Sequence, residues 1–302
     1  LYYFSNNGNL NWKKKLTGRV LGEIKQVDIF KNGRLQMAFR TKDRLYVLDR
    51  NGNEVDKLSF NINSSDVKSS LSIFDYDKNR NYRFLLTDND NMMMYDSNGK
   101  IVSGFKPESF NSKISNNPVH IRIDGKDYIV IQLENDILKI LDRRGRDRLI
   151  VNKKIKFSEN QIYSYMKNFA TTDRDGNLIM INQDGEIDIE NLNLSANNKI
   201  DIDYDNLVYT SENNLSIKGI SIKLPYGNFS KPKIFSVLKK TFIGITDLSE
   251  NKIYIYNDNG KLSDGFPLSG NSIIDVKDSD NDNKIEIITR LDDYSIVIYE
   301  IN

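Results

Sequence analysis

One short phrase recurs along nearly the whole chain: an apolar strand, a turn containing glycine, and a second strand. Copies read LYYFSNNGNLNW from Leu1, LYVLDRNGNEV from Leu45, MMYDSNGKIVSGF from Met93, LKILDRRGRDRLI from Leu138, LIMINQDGEIDI from Leu178 and IYIYNDNGKLSDGF from Ile253. The turn glycines are Gly8, Gly52, Gly99, Gly145, Gly185 and Gly260, spaced by 44, 47, 46, 40 and 75 residues. The wide last gap contains Glu212-Asn213-Asn214, a degenerate copy of the turn. Asn-Gly and Asp-Gly suit the positive-φ positions of tight hairpins, and Asn alone is the next best substitute. A fixed period of this kind constrains the fold more than any single residue can.

Two further strand candidates lie between successive hairpins. They are Leu71–Phe74 and Tyr82–Leu86 in one repeat, and Ser272–Val276 and Lys284–Ile288 in the last. Four strands every 40 to 47 residues is the pattern of a propeller blade. The predicted fold is therefore an all-β propeller of about seven four-stranded blades, with eight allowed by the extra strand Leu1–Phe4. The strand near Asn11–Lys15 is expected to close the ring against the strand near Ser295–Tyr299, covering two sheet edges. The whole of 1–302 reads as one propeller domain. It opens without a Met or a leader pattern, and is expected to be a fragment of a longer chain.

Composition agrees. Ala, the best helix former, occurs only three times, whereas Asn occurs 38 times. The charges nearly cancel, 43 Lys+Arg against 42 Asp+Glu, so no global field attracts nucleic acid or an anionic membrane. Cysteine is absent, which excludes disulfides, thiolate metal sites and cysteine nucleophiles. The single histidine, His120, lies in the alternating strand Val119–Ile123 and reads as structural. No apolar run is long enough to span a bilayer as a helix. Walker, G-x-S-x-G and G-x-G-x-x-G motifs are missing.

Gly8-Asn9-Leu10-Asn11-Trp12 resembles the G-x-x-x-W repeat end of quinoprotein-like (PQQ-like) propellers. The phrases WKKKLTGRVLGEIKQVDIFKNGRLQMAF, LYVLDRNGNEV, SIFDYDKNRNYRF and IYIYNDNGKLSDGFPLSGNS extend the likeness. Together they resemble the C-terminal propeller of a Bacteroidota family whose N-terminal half is a domain of unknown function. The resemblance implies a quinoprotein-like or WD40-like propeller in the periplasm or cell envelope. It does not carry the quinone cofactor over: no residue maps onto the cofactor ligands, and none is expected to bind.

The clearest chemical motif is Asp278-Ser279-Asp280-Asn281-Asp282-Asn283-Lys284-Ile285-Glu286. Oxygen donors at positions 1, 3, 5 and 9, here Asp278, Asp280, Asp282 and Glu286, match a compact structural-calcium loop, with Asn283 where such loops carry Gly. The plainer alternative is an exposed Asp/Asn turn. Asp75–Arg83 has the same form with Arg83 in place of the final acid, Asp201–Tyr209 lacks that acid, and Asp173–Asn177 reads as a turn. A basic cluster holding Arg143, Arg144, Arg146 and Arg148 is the candidate partner patch, weighed against a solvated outer hairpin. Without interleaved aromatics it is not expected to bind nucleic acid. The function expected is a non-enzymatic binding or scaffold module of the bacterial envelope with a protein partner. The alternatives are a glycan-binding propeller or an enzyme whose site is assembled from several blades.

Overall fold

The computed structural model describes residues 1–5, 7–62 and 70–301. Every regular element among them is a β-strand, and each sheet runs antiparallel in simple chain order. The fold is a β-propeller of seven blades, and the chain divides into two compact units, Leu1–Ile155 with Gln183–Glu186 and Lys156–Asn182 with Ile187–Asn302.

The first unit begins with a two-stranded hairpin, β1 (Tyr2–Phe4) and β2 (Leu10–Lys13). Its first blade is β3 (Lys25–Val27), β4 (Gln36–Arg40), β5 (Arg44–Leu48) and β6 (Phe60–Asn61). The second is β7 (Ser72–Phe74), β8 (Arg83–Asp88) and β9 (Asn91–Tyr95), with a bridge from Tyr95 to Ile101 in the fourth-strand place. The third is β10 (Val119–Ile123), β11 (Lys126–Gln132), β12 (Leu138–Leu141) and β13 (Asp147–Ile150).

The second unit contains β14 (Tyr163–Tyr165), β15 (Asn168–Thr172), β16 (Asn177–Ile181) and β17 (Ile187–Asn191) as one blade. The next is β18 (Lys199–Asp203), β19 (Asn206–Ser211), β20 (Asn214–Ile217) and β21 (Ile220–Lys223). It is followed by β22 (Lys233–Val237), β23 (Lys240–Asp247), β24 (Lys252–Asn257) and β25 (Leu268–Ser269). The last blade is β26 (Asp275–Lys277), β27 (Ile285–Arg290) and β28 (Ile296–Ile301).

Strand position within a blade sets composition. Several second strands are buried on both faces, most clearly β11, where Tyr128-Ile129-Val130-Ile131 is an unbroken apolar run. Fourth strands are exposed and mixed, as in Asp147-Arg148-Leu149-Ile150 of β13. The core lies between neighbouring blades. Ala38, Val47, Phe84 and Leu86 meet from the first and second, and Phe74, Leu85, Ile129 and Leu141 from the second and third. Each of the larger side chains among them contributes about 1.5–3 kcal/mol by leaving water.

All six turn glycines have left-handed φ, from 71° to 86°. Turn chemistry is the whole reason at Gly8, where a Cβ would meet nothing, but only half of it at Gly99, Gly145 and Gly185. A Cβ on Gly99 would collide with the Lys57 carbonyl oxygen, and one on Gly145 with Pro107. The same holds for Gly185 against Ile150, so each glycine lies where the outer segment of the preceding blade packs.

The expected closure by terminal strands is not observed. β2 pairs with β1 (Tyr2 opposite Lys13, Tyr3 opposite Trp12), whereas β28 pairs with β27. The physical reason is proximity in the chain. A turn at Ser5–Asn9 closes a short loop at small entropic cost, sealed by the Ser5 amide donating to the Asn9 carbonyl at 2.9 Å. Leu1, Trp12, Leu16 and Val20 then cover Phe39, Tyr46 and Leu48 of the first blade.

Candidate functional site

The acidic loop joins β26 to β27. Carboxylate oxygens of Asp278, Asp280 and Glu286 lie within 4.8 Å of one another, with Asp280 exposed, Asp278 half-buried and Glu286 buried. Asp282, the fourth residue of the motif, turns aside. Its Oδ1 accepts from the Lys284 amide at 2.8 Å, and its Oδ2 lies 3.7 Å from Lys284 Nζ. Lys284 also reaches Glu300 at 2.6 Å, and that hydrogen bond, helped by its charge, raises the ammonium pKa above its ordinary value. The structure therefore gathers three of the four predicted donors.

The basic cluster is less free than its sequence suggests. Arg143 bridges Asp127 at 2.5 Å and Asp77 at 2.8 Å, and lies over the Tyr76 ring at 4.7 Å. Arg146 grips Asp142 through Nε and Nη2 at 2.9 and 2.7 Å, and Arg148 covers the Tyr128 ring. Arg144 lines a pocket of about 240 Å³ together with Arg83, Arg143, Tyr76 and Asp77. As a partner patch the four arginines are mostly occupied within their own unit.

Sequence reasoning missed the polar network around that pocket. His120 Nε2 lies 2.7 Å from Asp127 Oδ1, and the imidazole packs between Phe74 and the edge of Tyr76. Burial lowers the His120 pKa below its ordinary value, against the opposing pull of Asp127. Tyr76 is pushed strongly upward by burial, and its hydroxyl has no partner. A signal was present. Asp124-Gly125 marks a tight hairpin, which places Arg122 directly opposite Asp127 and His120 on the same strand. The contribution of Asp77 and Arg143, 66 residues apart, carried no comparable local sign.

β28 presents a different feature. Among the described residues no strand pairs with its outer edge, where β6, β13, β17, β21 and β25 stand in other blades. Ile296 and Ile298 are 63% and 41% exposed on one face, beside Ile288 of β27, while Tyr299 and Ile301 point into the blade core. A second pocket of about 240 Å³ opens by Ile301, lined also by Phe242, Leu262 and Phe266.

No protein-family model matches the chain, and neither does any curated protein. Its fold is shared with solved structures of low identity. BamB from Moraxella catarrhalis superposes with a TM-score of 0.61 at 13% identity, over 97% of this chain and 87% of that one. BBS1N in complex with ARL6DN gives 0.61 at 14% identity, over 92% of each chain. Virginiamycin B lyase from Staphylococcus aureus gives 0.59 at 15% identity, over 88% of this chain and 91% of the lyase. The last corrects one expectation. A lyase is built on this fold, so a propeller without a recognisable catalytic motif does not justify excluding enzymatic activity. No helix among the described residues is long and apolar enough to cross a membrane.

Proposed function

We propose that this chain is a protein-binding propeller module that captures an extended, apolar segment of its partner along the open edge of β28. The observation that carries this reading is that, among the described residues, no strand pairs with the outer edge of β28, which lies beside an exposed stripe of Ile288, Ile296 and Ile298. An unpaired edge offers its amides and carbonyls to an incoming strand. Natural edges are usually blunted by charged side chains, proline or a bulge; β28 (Ile-Val-Ile-Tyr-Glu-Ile) has no proline and no bulge, and its one charge, Glu300, is engaged by Lys284. The pocket beside Ile301 would take a side chain of the added strand. The solved BBS1N structure, itself a complex with ARL6DN, supports protein recognition as a use of this fold. The resemblance of the repeat phrases to Bacteroidota envelope-associated propellers, beside the likeness to BamB, supports the periplasm or cell envelope as the setting.

The test is the double substitution Ile296→Lys with Ile298→Lys, which places charge on the edge without touching the core. The variant should keep the melting temperature within a few degrees and lose the partner that co-purifies with the unaltered protein. Amides of β28 should gain hydrogen-exchange protection when that partner binds. Equal partner recovery by both proteins would overturn the edge as the binding element. Conversion of a dimer to a monomer would instead make the occupant a second copy of this chain.

A further inference from the structure

Three loops of this chain share one backbone. Residues 28–36, 75–83 and 278–286 each join the first strand of a blade to the second. In each, the fourth and sixth positions are left-handed: Lys31 and Gly33 (φ 53° and 76°), Lys78 and Arg80 (52° and 64°), Asn281 and Asn283 (63° and 66°). The sequence shows the full acidic motif in the third and the same form with Arg83 for the final acid in the second, whereas the first carries no such sign. The first two are therefore built-in controls for what the loop does with its charge.

In the first two loops both oxygens of the leading aspartate are satisfied by amides. Asp28 accepts from Asn32 and Gly33 at 3.0 and 2.9 Å. Asp75 accepts from Asn79 and Arg80 at 3.1 and 2.9 Å. A guanidinium then neutralises each loop, Arg80 on Asp28 at 2.9 Å and Arg143 on Asp77 at 2.8 Å. The ninth positions carry no negative charge. Gln36 accepts from the Ile29 amide at 2.8 Å and donates to the Arg34 carbonyl, and Arg83 donates to two carbonyls.

The third loop departs at each of these points. Asn283 still donates to Asp278 Oδ2 at 3.2 Å, but the Asp282 amide turns to Asp280 at 3.3 Å. Asp278 Oδ1 is left buried with no hydrogen-bond partner. Glu286, only 7% exposed, accepts from the Ser279 amide and hydroxyl through Oε2 at 2.6 and 2.7 Å, while its Oε1 is also buried without a partner. Among the described residues no lysine or arginine pairs with Asp278, Asp280 or Glu286, and Lys284 is engaged by Asp282 and Glu300. Three carboxylates thus crowd within 4.8 Å with two bare buried oxygens and no arginine. Uncompensated burial of charge of this kind is costly.

We propose that Asp278, Asp280 and Glu286 bind one divalent cation of the calcium class, which takes the place that arginine occupies in the two sister loops. The donors are all oxygen, which selects a hard cation over zinc or copper. Three carboxylates in an irregular loop suit calcium, which accepts six to eight oxygens in flexible geometry. Magnesium demands a near-ideal octahedron and retains more of its water.

The test is calorimetric titration of the chelator-stripped chain with calcium chloride and, separately, magnesium chloride, with melting temperatures recorded alongside. One calcium should bind per chain and raise the melting temperature. Asp280→Asn changes an exposed residue, leaves folding intact, and should weaken calcium binding tenfold or more. Glu286→Gln should abolish it. Asp77→Asn, in a sister loop, should leave calcium affinity within about twofold. No saturable calcium binding, unchanged affinity in Asp280→Asn, or equally tight magnesium binding would overturn the assignment.

Discussion

The indole of Trp12 lies across Gly52. Its Nε1 donates to the Arg50 carbonyl at 2.8 Å, and a Cβ on Gly52 would stand 2.9 Å from the ring. The tryptophan that ends the first hairpin phrase is therefore seated on the turn of the next. The six-membered edge of the ring fills space that any side chain at position 52 would claim, and the hydrogen bond fixes its tilt.

Gly52→Ala should destabilise the protein by about 2–4 kcal/mol, combining left-handed strain with displacement of the indole. Gly33→Ala is the matched control, since Gly33 has a similar φ of 76° with open space where its Cβ would lie. It should cost only about 1 kcal/mol. Urea denaturation of both variants measures the difference, and equal losses would remove the indole contact from the account.

Asp127 is 5% exposed and receives Arg143, Arg122 and His120. Arg143→Met keeps the apolar stem over Tyr76 but leaves that carboxylate short of its closest cation. A loss of about 2–4 kcal/mol is expected. Most of the loss should persist in 0.5 M salt, because the Asp127 carboxylate is buried although Arg143 is partly exposed. Arg146→Met, which breaks an exposed pair with Asp142, should cost under about 1 kcal/mol.

His120 supplies a pH dependence of known sign. Burial lowers its folded pKa below the ordinary value of 6.5, so the unfolded chain takes up the proton first. The stability it contributes is full above that value and is lost as pH falls through the lower folded pKa. Chemical denaturation from pH 7.5 downward should show His120→Gln least stable relative to the unaltered protein at neutral pH, with the gap narrowing below about pH 6.5. A gap independent of pH would show that the imidazole does not titrate in this way.

Phe84 is wholly buried in the second strand of its blade and packs in the core shared with the first blade. Phe84→Ala should cost about 3–5 kcal/mol. Tyr226→Ala, at a side chain 93% exposed, should change stability by less than about 0.5 kcal/mol. The pair checks by denaturant midpoint that the core lies where neighbouring sheets face each other.

Legibility in the sequence followed locality. The hairpins at Gly8, Gly52, Gly99, Gly145, Gly185 and Gly260 could be read because a tight turn is a matter of a few adjacent residues, and Glu212 (φ 53°) took the degenerate turn as expected. The acidic loop was legible for the same reason, but its use was not. Whether Asp282 faces the other acids or Lys284 depends on one amide turning to Asp280, which residue spacing does not encode.

The amino-acid sequence by itself determined the all-β class, the repeat and the placement of strands and turns. These follow from side-chain alternation and φ preferences within ten or so residues. Only the tertiary structure decided which charges are spent on one another. Arg143 reaches Asp77 across 66 positions, and Arg80 reaches Asp28 from a neighbouring loop, while Asp278 and Glu286 receive no such partner among the described residues. It also decided that β2 joins β1 and that, among the described residues, no strand pairs with the outer edge of β28, because a strand pairs with whatever backbone is nearest and in register. Nearness in space is a property of the folded chain, and an isolated run of residues does not carry it.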